Sequence, residues 1–324
     1  MLFVVAAAIA LIAFVLILVL VPNSGTPTGG HVDFVGATGL AIGLVGVMLA
    51  ISQGNTWGWT SPMTLTSLIV GVVVLLAWGW HQLRAKNPLV YLRVSARPAV
   101  LTTNLASVAM GFALFSSSIA FPQLLETPIA ARGLGLDLLP ASLVLVPSGL
   151  AMLVMSPIAG RIERSVGPKP LLIAGAIVLT VAYLICVFVP LHAWTIAVVN
   201  TVIGVGVGVG VGVGVGLGYA SMPALIMGAV PRHETGAANG LNTLMRSFGT
   251  TVASAVVGAI IAASAGGDVT SSYSLVFLLG LIAAAVCAAI ATFIPRPRVN
   301  DEAADVLEAV TPTSKETLEG SPAR

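Results

Sequence analysis

Runs of about twenty apolar residues, separated by short polar or Pro/Gly-rich breaks, recur along the whole of this 324-residue sequence. A helix crossing the hydrocarbon layer of a bilayer needs about 20 mostly apolar residues. The runs that qualify are Leu2–Val21, Val35–Gln53, Pro62–Trp80, Ala99–Leu125, Leu138–Ala159, Leu171–Pro190, Trp194–Met227, Ala238–Ala265 and Ser274–Ile294. A membrane barrel is excluded, because its segments run to about ten residues with strict alternation, whereas these are longer and apolar on every face. A water-soluble core is excluded as well: 57% of the residues are hydrophobic and 8% charged, against about 25% charged in soluble domains, too few to clothe a polar exterior. The expected fold is all-α, a polytopic membrane helix bundle of about nine transmembrane helices with membrane lipids around it.

Lysine and arginine collect in cytoplasmic loops. Arg84, Lys86, Arg93 and Arg97 follow the third run, Arg161, Arg164 and Lys169 the fifth, and Arg232 the seventh, with Arg246 just inside the eighth. With the four in the tail, 13 of the 14 basic residues fall on one side, Arg132 alone on the other. The asymmetry supports the span count. It predicts an integral membrane protein with its N-terminus outside and its C-terminus cytoplasmic. A net charge of +2 leaves no basic surface for a run of phosphates, so nucleic acid is not an expected partner.

Cys186 and Cys287 lie inside apolar runs and read as small buried hydrophobes. His31, His81, His192 and His233 lie in loops or at helix ends. No catalytic triad, metal-ligand cluster or cofactor motif emerges, so an enzyme is not expected. All twelve acidic residues lie in loops, at helix ends or in the tail, so no carboxylate titrates within the membrane.

Two segments carry most of the pattern. The first, GRIERSVGPKPLL, is a basic turn in which Gly160 permits close helix packing, Gly167 a tight turn, and Arg161 and Lys169 pairing with carboxylates or lipid phosphates. The second runs YASMPALIMGAVPRHETGAANGLNTLMRSFGTTVASAVVGAII. With AFPQLL in the fourth run and LVPSGLAMLVMSPIAGR in the fifth, it resembles the C-terminal half of the major facilitator superfamily, and within it the fourteen-helix drug:proton antiporter branch. The basic turn departs from the family pattern, with Arg164 where an aspartate is usual.

The resemblance implies a partial major facilitator fold. Residues 1–22 would be the last helix of the N-terminal bundle, 23–98 two inserted linker helices and a cytoplasmic loop, and 99–294 the C-terminal six-helix bundle. Residues 295–324 would form a cytoplasmic, disordered tail, in keeping with their polar, mixed-charge composition. Five preceding helices, which in the family hold the principal proton-titrating carboxylate, are then expected to be missing, or to come from a partner chain. The implied activity is secondary active export of amphipathic or cationic small molecules by alternating access across a bacterial-type plasma membrane. The proton gradient supplies the energy, with no cofactor. Export of a lipid-like or cell-envelope metabolite, or a non-transporting remnant, are the alternatives.

In the family the substrate path lies between the bundles, so uncharged polar residues of the matching helices are the candidates. They are Asn104, Ser107, Ser117 and Gln123 on the fourth run and Asn200 and Tyr219 on the seventh. Such residues also bond neighbouring helices, and both readings stay open. Asn239, Asn242 and Arg246, spaced i, i+3, i+7, share one face near the cytoplasmic end of the eighth run, as a gate or a structural clamp. Last, glycine occupies every even position from Gly204 to Gly218. A period of two does not match a helix, and a repeat expansion within a glycine-containing helix accounts for it better than a phosphate loop.

Overall fold

Hydrocarbon offers the backbone no hydrogen-bond partners, so each apolar run closes its bonds within itself. In the computed structural model the described residues are 2–20, 33–85, 88–190, 192–209, 225–226, 230, 235–263 and 269–295. They form helices α1 (Leu2–Leu20), α2 (Phe34–Trp57), α3 (Pro62–Arg84), α4 (Leu92–Ser95), α5 (Pro98–Glu126), α6 (Leu138–Val166), α7 (Pro168–Phe188), α8 (Ala193–Val209), α9 (Thr235–Ala263) and α10 (Val269–Phe293). Residues 1–33 make one unit, whose helix α1 carries no charged residue, and residues 34–324 make a second.

Among the described residues six helices are long and apolar enough to cross a membrane: Phe34–Trp57, Pro62–Arg84, Pro98–Glu126, Pro168–Phe188, Thr235–Ala263 and Ser271–Phe293. Three shorter apolar stretches, Ala10–Leu20, Leu138–Val154 and Ala193–Ile203, overlap remaining predicted runs. Of the alternating glycines, Gly204, Gly206 and Gly208 belong to α8; those from Gly210 onward, and the tail from Arg296, lie outside the described residues.

Local signals set the boundaries. Ser61 caps α3, its hydroxyl accepting from the Thr64 N–H at 3.2 Å, with Pro62 in the first turn. Proline also opens α5 and α7, where the missing N–H costs nothing. Between α6 and α7 the chain reverses at Gly167, whose φ of +84° an L side chain rarely adopts. At the far end of α5 the following loop folds back, the Leu134 and Leu136 N–H groups donating to the Leu124 and Leu125 carbonyls. Short turns make consecutive helices alternate in direction. Arg84, Arg97, Arg161 and Lys169 therefore share one end of the second unit, here termed the basic end.

α5 packs against α9 and α10, α7 against α8 and α10, and α6 against α8. Their shared core centres on Phe121, Tyr183 and Phe277. The Phe121 and Phe277 rings lie 5.4 Å apart, Tyr183 reaches the Ala113 carbonyl with its hydroxyl, and Gly280 leaves room for the Tyr183 ring.

α2 and α3 form an antiparallel hairpin zipped by small residues. Gly39 faces Trp78, Gly43 faces Leu75, and Gly46 meets Gly71, the Ser67 hydroxyl donating to the Gly46 carbonyl at 3.0 Å. Small residues let helices approach where lipid removes any hydrophobic drive to associate. A side chain added at Gly71 would stand 2.6 Å from the Val47 nitrogen and 2.9 Å from the Gly46 carbonyl carbon, neither able to yield. Gly71→Ala is expected to cost about 1–3 kcal/mol, read as a lower thermal-unfolding midpoint in detergent. Gly79→Ala, which meets nothing within 4 Å, should leave the midpoint unchanged or slightly raised, alanine being the better helix former.

Candidate functional site

α5 and α9 touch backbone to backbone. A methyl group on Gly111 would sit 2.5 Å from the Arg246 carbonyl oxygen, and one on Gly249 would strike the Val108 carbonyl. Two turns toward the basic end this contact encloses a polar cluster. The Asn242 amide donates to Asn104 Oδ1 at 3.0 Å and to the Ser107 hydroxyl at 2.6 Å, and Ser107 donates onward to the Thr103 carbonyl at 2.9 Å. Thr103, Asn104, Ser107 and Asn242 are each at most 5% exposed. Every donor in the chain points the same way, an arrangement in which neighbouring bonds polarise one another. One turn before Asn242, the Asn239 side-chain oxygen is buried without a hydrogen-bond partner; one turn after it, Arg246 is half-buried.

The structure thus brings Asn104, Ser107 and Asn242 together and sets the other candidates apart. Ser117 is buried farther along α5 and turns its hydroxyl back to the Leu114 carbonyl. Gln123 is exposed. Asn200 is half-buried and faces α6, its amide 3.4 Å from the Leu145 carbonyl. Tyr219 lies outside the described residues.

In the predicted basic turn Gly160 and exposed Arg161 lie within the last turns of α6, which runs on to Val166, and Gly167 alone makes the reversal. The Lys169 ammonium donates to the Thr292 carbonyl at 2.7 Å and to the Ile294 carbonyl, at the open C-terminal end of α10. A cation there complements the negative end of the helix dipole. Among the described residues no group of His, Cys, Asp and Glu could hold a metal ion, and Cys186 and Cys287 are free and buried.

Residue pattern alone does not single out a second polar bridge. Asn55, on α2, donates to the Ala255 carbonyl of α9 at 2.8 Å and accepts from the Trp59 indole at 2.9 Å. Its signal is the tip sequence GNTWGW, where an amide stands four residues before an indole at the end of an apolar run. Beside it an apolar groove of ≈ 580 Å³ runs between α2 and α3, lined among others by Ile42, Gly46, Leu49, Trp57 and Met63.

The family model described as Major Facilitator Superfamily matches residues 1–254 and, overlapping, residues 104–319. The chain belongs to the major facilitator superfamily. Members of this superfamily are transporters rather than enzymes, and the chain is an integral membrane protein. It is 33% identical over 184 residues to the lincomycin resistance protein LmrB of Listeria monocytogenes, covering 56% of this chain and 38% of that protein. An uncharacterized MFS-type transporter of Bacillus subtilis, YcnB, is 27% identical over 288 residues, 87% of this chain and 57% of its own. The multidrug resistance protein Stp of Mycobacterium tuberculosis is 24% identical over 225 residues, 69% and 40% respectively. The matched part therefore spans less than two-thirds of the length of each relative.

In this major facilitator chain the α5–α9 cluster is open to a double-mutant cycle. Asn242→Ala leaves buried acceptors on Asn104 and Ser107 and is expected to cost about 1–3 kcal/mol. Asn104→Ala should then cost much less in the Asn242→Ala background than in the parent, a coupling of about 0.6–2 kcal/mol. Additive losses in detergent unfolding would mean that the two side chains do not act together.

Proposed function

We propose that the chain is the C-terminal portion of a proton-driven exporter of amphipathic or cationic small molecules, built on the fourteen-helix plan. On this reading α5 to α10 are the C-terminal bundle, α2 and α3 the inserted pair, and α1 the last helix of the N-terminal bundle. The basic end faces the cytoplasm. Support comes from the matches to proteins named for drug resistance and from one structural observation, the buried Asn104–Ser107–Asn242 cluster. Buried polar side chains in a membrane helix bundle are expensive and concentrate on functional paths. This cluster joins two helices that, on the fourteen-helix plan, flank the substrate path. It holds their basic ends together while the uncharged interior stays suited to amphipathic cargo.

No carboxylate lies within the apolar runs, so the titrating group belongs, on this proposal, to helices supplied by a longer reading frame or a partner chain. Net positive charge on the substrate then faces no cationic competitor in the membrane interior except half-buried Arg246.

The test is efflux of a fluorescent cationic dye, with lincomycin susceptibility alongside, in bacterial cells expressing the chain alone or in its frame extended upstream. The extended form is expected to export the dye, a protonophore should return retention to the vector level, and the 324-residue chain alone should be silent. Export that survives the protonophore would overturn proton coupling. An extended form that exports neither compound would overturn the substrate class.

A further inference from the structure

The tip of the α2–α3 hairpin is built around one amide. Gly58, at a φ of +89°, reverses the chain, and its carbonyl accepts from the Ser61 N–H at 3.1 Å and the Thr64 hydroxyl at 2.9 Å, which fixes the turn. The turn returns Trp59 onto α2, where its ring lies against Gly54; a methyl group there would stand 2.9 Å from the ring. In that position the indole N–H points at Asn55 Oδ1, 2.9 Å away.

Chemistry fixes the orientation of the Asn55 amide. An indole nitrogen only donates and a backbone carbonyl only accepts. Asn55 must therefore turn its oxygen to Trp59 and its nitrogen to Ala255 of α9, as observed. Gly258, one turn along α9 from Ala255, borders the amide, a methyl group there standing at ordinary van der Waals distance, 3.7 Å, from Asn55 Nδ2. The hairpin's own zipper of Gly39, Gly43, Gly46 and Gly71 packs α2 and α3 tightly against each other.

We propose that Asn55 is a positioning residue, which with Trp59 as its second partner latches the α2–α3 hairpin onto α9 at the end opposite the basic one. The hairpin is then a strut of the bundle rather than a loose linker, and it sets where that end of α9 stands. The consequence for turnover rests on the exporter reading; the latch itself does not.

Two measurements separate them. Spin labels at Thr60→Cys and Ala262→Cys report the latch, and labels at Leu105→Cys and Thr243→Cys report the α5–α9 contact; all four positions are exposed, while native Cys186 and Cys287 are buried. Asn55→Leu is expected to broaden the tip distance distribution at least twofold and leave the control pair unchanged. Trp59→Phe, which removes the indole N–H and shortens the ring but leaves the Asn55–Ala255 bond, should broaden it less. A tip pair that stays narrow in Asn55→Leu, or equal broadening of both pairs, overturns the latch. In dye export by the extended form, Asn55→Leu should lower kcat several-fold at unchanged KM. A KM effect with kcat unchanged would overturn the positioning role. Absence of export by the unmutated protein would count against the exporter reading alone, the spin-label result deciding the latch.

Discussion

Lipid chains are as apolar as leucine side chains, so helices in a membrane gain nothing by merely covering apolar surface. What holds α2 to α3 and α5 to α9 is close approach of backbones where a side chain is missing. Gly46 meets Gly71 in the α2–α3 hairpin, Gly111 meets the Arg246 carbonyl, and Gly249 meets Val108. Each such contact lets dispersion act over a long stretch of both helices and brings polar groups of one within reach of carbonyls of the other. The bonds of Asn242 depend on it: without the Gly111 and Gly249 contacts, the amide would not reach both Asn104 and Ser107.

The polar side chains find partners in two ways. Many hydroxyls are satisfied on their own helix: Ser116, Ser117, Thr180 and Thr201 each turn back to a carbonyl three or four residues earlier. Amides, the Tyr183 phenol and the Lys169 ammonium are too long or too demanding for that and cross to a neighbour. The longer groups are thus the usual ties between helices, although a hydroxyl also serves where a neighbour is close, as Ser67 does in reaching the Gly46 carbonyl of α2. Among the residues proposed as path-lining, Asn104 and Ser107 are ties to Asn242, while Ser117 is bonded within α5.

Much of the fold is legible in the sequence because hydrophobic length has only one use in a bilayer. The runs Val35–Gln53, Pro62–Trp80, Ala99–Leu125 and Leu171–Pro190 each coincide with a helix, and Pro62, Pro98 and Pro168 mark three beginnings. The i, i+3, i+7 spacing of Asn239, Asn242 and Arg246 places them on one face of α9, yet spacing cannot say what the face meets. Asn242 reaches residues 135 and 138 positions away, and no local pattern encodes such a pairing. Lys169 illustrates the same limit: its charge is plain in GRIERSVGPKPLL, but its partners are carbonyls, which every residue possesses and no sequence pattern distinguishes. Asn55 is overlooked for a related reason, since an amide at the end of an apolar run reads as a loop residue until Ala255 is seen beside it.

α9 is gripped at three levels by different chemistry, and the combination restricts how it can move. Asn242 bonds α5 toward the basic end, Gly249 abuts Val108 farther along, and the Ala255 carbonyl receives Asn55 near the opposite end. Sliding α9 by one residue along α5 would shift it about 1.5 Å and turn its contact face about 100°. Phe248 or Thr250 would then stand where only glycine fits, and the Asn242 amide would leave both acceptors at once. Rotation of α9 about its own axis fails for the same reasons. The motion left to it is tilting together with α5, which preserves the glycine contact, with the α2–α3 hairpin following at the far end. Any cycle that opens and closes a path beside α9 has to move these helices as one body, since relative sliding would unmake every tie in turn.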